Sequence, residues 1–151
     1  GIWFRGQKYF MQGAENAKKG NSAVFAQTKK WLDIYFLGKE PPFTPPIKPG
    51  GSEFRLAVFK TMLDIPRGKV STYGEIARAI EKNTGRKTSA RAVGSAVGHN
   101  PISVIIPCHR VVGSNGSLTG YAGGVGRKYF LLELEGADIT KLYLPKRGTA
   151  L

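Results

Sequence analysis

ISVIIPCHRVV, residues 102–112, holds the only cysteine of the chain, Cys108, between an apolar run and the pair His109-Arg110. A free cysteine behind mostly β-branched residues packs as a small hydrophobe and is commonly inert. Three neighbours argue for reactivity. Pro107 stiffens the backbone just ahead of the thiol, His109 follows it, and Arg110 adds a fixed positive charge that favours thiolate over thiol. On these residues alone, a reactive thiol and a structural one both stand.

Downstream, VVGSNGSLTGY places Asn115-Gly116 between flanks of some β character, which predicts a hairpin and a candidate wing. RKYFLLELEG then predicts a helix ended by Gly136. Glu133 and Glu135 fall near its carboxyl end, where the helix dipole disfavours a carboxylate by roughly 0.3 to 1 kcal/mol. A solvated position tolerates that cost, and a buried hydrogen-bond partner explains it better.

Upstream, Ser89 opens a short helix, SARAVGSAV, that runs to Gly98, read as a left-handed stop. Before it, Thr72 and Glu75 form a capping box for a helix from Tyr73 to about Glu81. Two short helices, the second beginning in basic residues, make a helix-turn-helix candidate, although that motif also occurs in proteins that do not bind DNA. Ser52 is the expected N-cap of EFRLAVFKTMLDI, whose Phe54, Val58, Phe59, Met62 and Leu63 share a face. From Ser22 to Leu37, Val24, Phe25, Trp31, Leu32, Tyr35 and Phe36 recur at helical spacing, an aromatic stripe read as core rather than ligand site. The proline-dense stretch from Gly38 to Gly51 reads as a linker, and GIWFRGQKYF as a strand running into a turn.

The chain has 151 residues, enough for one good core, or one domain with a smaller companion. No stretch of about eighteen apolar residues offers a membrane span, and Arg5 and Lys8 interrupt any apolar signal segment. A single cysteine excludes an internal disulfide framework and a cysteine-rich zinc site, and suits a reducing cytoplasm. The net charge is +13, from 23 basic and 10 acidic residues. Such an excess points to a polyanion partner, usually nucleic acid. Arg78, Lys82, Arg86, Lys87 and Arg91 concentrate it in one region, opposed there by Glu81.

Five blocks, RGKVSTYGEIA from Arg67, SARAVGSAVGHNP from Ser89, IPCHRVV, GYAGG from Gly120 and RKYFLLELEGA from Arg127, occur in order. Together they resemble the O6-alkylguanine-DNA alkyltransferases, or methylated-DNA–protein-cysteine methyltransferases. PCHR by itself is a weak signal; five blocks in register are a specific one. The resemblance implies an α+β fold. Residues 1–50 would be the remnant of an amino-terminal α/β domain, whose earlier strands are expected outside this sequence, with its proline-rich linker. Residues 51–151 would be a mainly helical, winged helix-turn-helix-like domain that binds DNA and accepts the alkyl group.

The chemistry implied is displacement at saturated carbon, which suits a soft thiolate nucleophile. An ordinary cysteine, with a pKa of about 8.5, is only a few per cent thiolate at neutral pH, so the site has to promote ionisation. In the family pattern Cys108 is the acceptor, a water links it to His109, and Glu135 orients the other imidazole nitrogen. The base has to leave the duplex. Arg91 would fill the hole, Tyr73 would donate to the flipped base and protonate the departing guanine, Tyr121 would close the pocket, and Asn100 would brace the active-site turn. The carbonyls of Cys108 and Val111 would accept from the exocyclic amine, and the amide of Ala122, where some relatives carry serine, would face the O6 atom. Ser114 and Gly74 complete the expected DNA-contacting set. The resemblance implies no cofactor and no metal. The expected partner of a cytoplasmic monomer is double-stranded DNA bearing O6-alkylguanine, with O4-alkylthymine as a second lesion. The thioether product has no evident route of reversal, so each molecule acts once.

Three other readings remain on the residues. A related binding module recognises the lesion without transfer, but carries tryptophan in place of the cysteine. A helix-turn-helix regulator with a redox-sensing cysteine would need more base-reading side chains than the segment around Arg91 offers. A cysteine hydrolase would need a base better placed than the adjacent His109.

Overall fold

The computed structural model describes residues 1–145, so the last residues of the expected 51–151 domain lie outside the described part. The element order is α1 (Ala23–Phe36), α2 (Glu53–Leu63), β1 (Ser71–Thr72), α3 (Tyr73–Thr84), α4 (Ala90–Gly98), a 3-10 turn (Cys108–Arg110), β2 (Val111–Val112) and α5 (Val125–Leu134). The architecture is α+β, dominated by helices with one small sheet. No described helix is long and apolar enough to cross a membrane.

Local chemistry sets the helix ends. Side chains of Ser22, Ser52 and Ser89 accept from backbone amides in the first turns of α1, α2 and α4, each satisfying one orphan donor. The capping box of α3 is complete, with Glu75 N–H donating to Thr72 Oγ1 at 3.1 Å and Thr72 N–H donating to Glu75 Oε2 at 2.6 Å. At the end of α5, Gly136 adopts φ 72°, its N–H donates to Glu133 O, and Ala137 N–H donates to Leu132 O. This is a Schellman stop, which needs the left-handed backbone that glycine supplies. Gly98 does not play the expected part. It is the last buried residue of α4, and His99 caps the helix at φ −96°. The helix therefore ends in the core without a left-handed turn.

α2, α3 and α4 pack against one another, and α5 lies on the 3-10 turn. Tyr35 of α1, Val58, Phe59 and Met62 of α2, Ile76 and Ile80 of α3, Val93 and Val97 of α4, and Leu131 of α5 share one core cluster with Cys108 and Val111. The expected stripe on α1 is core only in part: Trp31 and Tyr35 are buried and Leu32 packs against the cluster, whereas Phe25 and Phe36 are exposed. Residues 1–36 thus contribute a helix to this common core, with Ile2 and Phe4 packed against it and Ile2 bridged to Ile102.

The run 102–106 is buried but builds no strand. Ile105 N–H donates to Ser103 O around Val104, which holds φ 73°, and Cys108 N–H donates to Ile106 O around Pro107, at φ −83° and ψ 63°. These are two γ-turns, the first of the rarer, strained hand; a buried valine with positive φ persists only where surrounding contacts hold it. The Asn115-Gly116 turn forms, closed by Gly113 N–H to Ser117 O, with Gly116 at φ 85°. Its flanks do not go on to pair with each other. Val111–Val112 pairs in parallel with Ser71–Thr72, and Ser117 bridges to Tyr143.

Candidate active site

Pro107, at the centre of the second γ-turn, leads into the 3-10 turn, which presents Cys108 and His109 inward. Both are buried. Asn100 fixes the approach to the thiol. Its Nδ2 donates to Ile106 O at 2.8 Å and to Cys108 Sγ at 3.1 Å, while its Oδ1 accepts from Ile102 N–H at 3.0 Å. The expected bracing residue thus also places a donor on the sulfur. Burial pushes the thiol pKa up, opposed by that donor and by the charge of Lys128. In the free protein the nucleophile therefore rests as a thiol.

His109 Nε2 lies 2.8 Å from Glu135 Oε1 and 3.3 Å from the Tyr35 hydroxyl. Its Nδ1 is buried and has no hydrogen-bond partner. Burial lowers the imidazole pKa, with Glu135 pulling it up and Arg110 and Lys128 pushing it down, so Nε2–H donates from a neutral ring. Glu135, the C-cap of α5, is the buried carboxylate that its awkward helix-end position suggested. Tyr35 donates to Oε1 at 2.7 Å, Arg110 donates through Nε to Oε2 at 2.8 Å and through Nη2 to Oε1 at 2.9 Å, and Gly68 N–H donates to Oε2 at 3.3 Å. Burial alone would raise the carboxyl pKa. The hydrogen bonds from His109 and Arg110 outweigh it and hold the group well below the ordinary carboxylate range.

Arg110 therefore departs from its sequence reading. Its guanidinium is committed to Glu135 and to Ile65 O, 2.6 Å away, and does not serve the thiol. The cation acting on Cys108 is Lys128 of α5, which is fully buried and donates to Thr119 O at 2.8 Å. Burial pushes its pKa down to about 7, with the cysteine pulling it up. Sequence reading missed Lys128 because it is one of an Arg127-Lys128 pair that looks like ordinary surface. Tyr35 was missed because it sits in an aromatic stripe.

A cavity of ≈ 570 Å³ opens between Tyr73, Arg91, Gly94, Ser95, His99 and Gly120. Tyr73, the first residue of α3, donates its hydroxyl to Thr119 O at 3.1 Å and Gly120 O at 3.3 Å. Gly120 has φ 76°, and a Cβ there would collide with that hydroxyl. Arg91 is exposed at this rim and Gly74 is half-buried beside Tyr73. His99, without a motif role, stacks on Tyr9 at 4.1 Å and lines the same cavity. Tyr121 is buried with its hydroxyl unpaired, its ring edge-on to Phe4. Val111 is fully buried in β2 and Ala122 half-buried beyond Tyr121. Ser114 stands apart, exposed in the Asn115-Gly116 turn. Among the described residues, no group of three His, Cys, Asp or Glu side chains is placed to hold a metal ion.

What this arrangement can do is set by its protons. A buried thiol and a neutral imidazole, the latter backed by an ionised carboxylate, can become thiolate and imidazolium when a proton moves to the unpartnered Nδ1. A soft nucleophile then forms in a buried site.

Comparison with known proteins gives the same answer. Residues 53–137 match the family model for the DNA-binding domain of 6-O-methylguanine DNA methyltransferase. The methylated-DNA–protein-cysteine methyltransferase of Methanosarcina acetivorans is 44% identical over 87% of this chain and 86% of its own length. Its namesake from Mycobacterium tuberculosis is 50% identical over 74% of this chain and 66% of its own length. A crystal structure of the M. tuberculosis O6-methylguanine methyltransferase superposes with a TM-score of 0.71 at 42% identity, covering 83% of this chain and 73% of that one. The M. tuberculosis OGT in complex with DNA superposes with a TM-score of 0.68 at 44% identity, over 78% and 72%. By sequence, by fold and by the cysteine at its centre, the chain belongs to the methylated-DNA–protein-cysteine methyltransferases.

Proposed function

We propose that this protein repairs DNA by moving the alkyl group of O6-alkylguanine directly onto Cys108. The observation that carries the reading is the buried thiol beside an imidazole whose far nitrogen is fixed by Glu135. The Cys108 sulfur forms a bond to the alkyl carbon as the carbon–O6 bond breaks. The thiol proton passes to His109, through water to Nδ1. The guanine left behind takes a proton from Tyr73, whose phenol burial keeps protonated, and the proton held on His109 returns through solvent to the phenolate, so both side chains end neutral. The product is a thioether, the transfer is irreversible, and each molecule turns over once.

The remaining roles follow the same reading. α3 and α4 form the helix-turn-helix, with the turn at Asn115-Gly116 as wing, and the chain acts as a cytoplasmic monomer on duplex DNA. Residues 51–151 are the DNA-binding and acceptor domain, and 1–50 a companion. Arg91, exposed at the cavity rim, enters the stack as the lesion flips. Tyr73 gives up its bonds to the Thr119 and Gly120 carbonyls to admit the base, which Tyr121 and the backbone of Val111 and Ala122 then enclose. Gly74 and Ser114 lie against phosphates, and O4-alkylthymine is a second substrate.

Intact-mass measurement after incubation with excess O6-methylguanine duplex tests this. One methyl is expected per molecule, on the peptide bearing Cys108. Several turnovers per molecule, or a methyl on another residue, would sink the proposal.

A further inference from the structure

Tyr35 lies on α1, outside the matched domain 53–137, yet its hydroxyl reaches the centre of the site. The oxygen is 2.7 Å from Glu135 Oε1 and 3.3 Å from His109 Nε2, closing a triangle with the 2.8 Å contact between those two. The ring is 1% exposed, stacked on Trp31 at 5.2 Å. Pure packing would be served by phenylalanine. A hydroxyl in this place has to be satisfied, and it is satisfied by the one carboxylate that serves His109.

We propose that Tyr35 is a positioning residue for alkyl transfer: donated from α1, its hydroxyl spreads the charge on Glu135 and so sets how strongly that carboxylate supports an imidazolium on His109. The inference rests on the proton path from Cys108 to His109 proposed above. A hydrogen bond to the charged form of a carboxylate stabilises that form and makes it a weaker partner for a neighbouring cation. Burial and the charge of Glu135 raise the pKa of the Tyr35 phenol itself, so it stays a donor at every working pH. The other charged or titratable groups around the pair are Arg110 and Cys108 from the 3-10 turn, Lys128 from α5, Tyr121, and Arg67, whose guanidinium lies 5.2 Å over the Tyr35 ring. Those cations weaken an imidazolium. Tyr35 is the side chain that adjusts the carboxylate without adding charge, beside the backbone N–H of Gly68.

The test compares single-turnover methyl transfer against pH for the wild-type chain, Tyr35→Phe and Glu135→Gln. With the hydroxyl gone, Glu135 supports the imidazolium more strongly. The acid-side midpoint of Tyr35→Phe should move to lower pH, by up to about one unit, with the plateau rate at high pH retained. Glu135→Gln should move the midpoint the other way. A Tyr35→Phe midpoint that stays put or rises overturns the role of Tyr35, even if its melting temperature falls, because a merely structural hydroxyl moves stability alone. A Glu135→Gln profile that superimposes on wild type sinks the proton path itself, and the inference with it. Should Tyr35→Phe fold poorly, a difluorotyrosine at position 35 keeps the ring and strengthens the donor. Its midpoint should rise, and an unchanged one overturns the proposal. Imidazole ¹⁵N shifts supply a readout independent of transfer. The His109 titration should move up in Tyr35→Phe, and an unmoved titration counts against the inference.

Discussion

Replacing Lys128 with methionine should stabilise the protein while slowing its chemistry. Lys128 is fully buried with one hydrogen bond, to Thr119 O. In the unfolded chain it titrates at 10.5, and in the folded one burial pushes this down to about 7. Between those values the unfolded state binds more protons, so the lysine makes stability rise with pH from about 7 to about 10.5 and leaves it lowest below 7. At about 1.36 kcal/mol per pH unit, the two ends differ by about 5 kcal/mol, an upper figure because a buried charge draws its surroundings towards it. Methionine binds no proton and fills much the same volume, but forfeits a hydrogen bond worth about 1 kcal/mol. Lys128→Met should therefore exceed wild type by up to about 4 kcal/mol below pH 7 and fall short by about 1 kcal/mol above pH 10.5. Urea unfolding of both proteins across this range gives the difference, and titrations of groups that do not feel Lys128 cancel. Single-turnover transfer should be slower in the variant, because Lys128 is the cation that opposes the rise of the Cys108 pKa. A stability difference that does not vary with pH would refute the reasoning, since Lys128 would then be charged and matched in the fold.

Asn100→Ala removes the donor to Cys108 Sγ and the clasp on Ile106 O. It should cost about 1–3 kcal/mol of stability, seen as a lower melting temperature. Its thiol should also ionise at higher pH, read from the pH dependence of alkylation by iodoacetamide. Normal thiol titration would remove Asn100 from any part in activation. Arg91→Ala should slow repair in duplex far more than reaction with free O6-methylguanine, since a free base needs no flipping. Equal losses on the two substrates would show that Arg91 does not enter the stack.

The parts legible in the sequence are those that local chemistry decides. Serine and threonine caps, the Thr72–Glu75 box and Gly136 fixed helix ends within a residue or two, because a cap is a contact between near neighbours in the chain. Cys108, His109, Asn100 and Glu135 came from motif register, and the structure brings all four together. Long-range partners were beyond reach. The Tyr35 phenol meets Glu135 across 100 positions, and hydropathy periodicity records that a tyrosine faces inward, never which atom its hydroxyl meets. Arg110 misled for the same reason: its place beside the thiol was read as proximity, while its side chain runs to Glu135. The apolar run 102–106 has the composition of a buried strand, but the turns at Val104 and Pro107 fold it back on itself, and hydropathy periodicity carries no sign of turns clasped by the side chain of nearby Asn100.

The pairing of Ser71–Thr72 with Val111–Val112 works as a ruler. Thr72 is followed directly by Tyr73, and Val111 directly follows the turn that carries Cys108. Two paired residues therefore set the spacing between the Tyr73 phenol proposed to face the base and the Cys108 sulfur proposed to attack it. So short a ladder cannot hold its own register; the Thr72 cap holds one side and the buried Val111 the other. One residue inserted beside the pairing would displace one member by about 3.3 Å, enough to break the contacts it makes, in a protein that still folded. The connection from Gly85 to Ser89 lies off this ruler and can lengthen freely. Natural length variation should therefore collect in that basic loop and be absent on either side of the two-residue sheet.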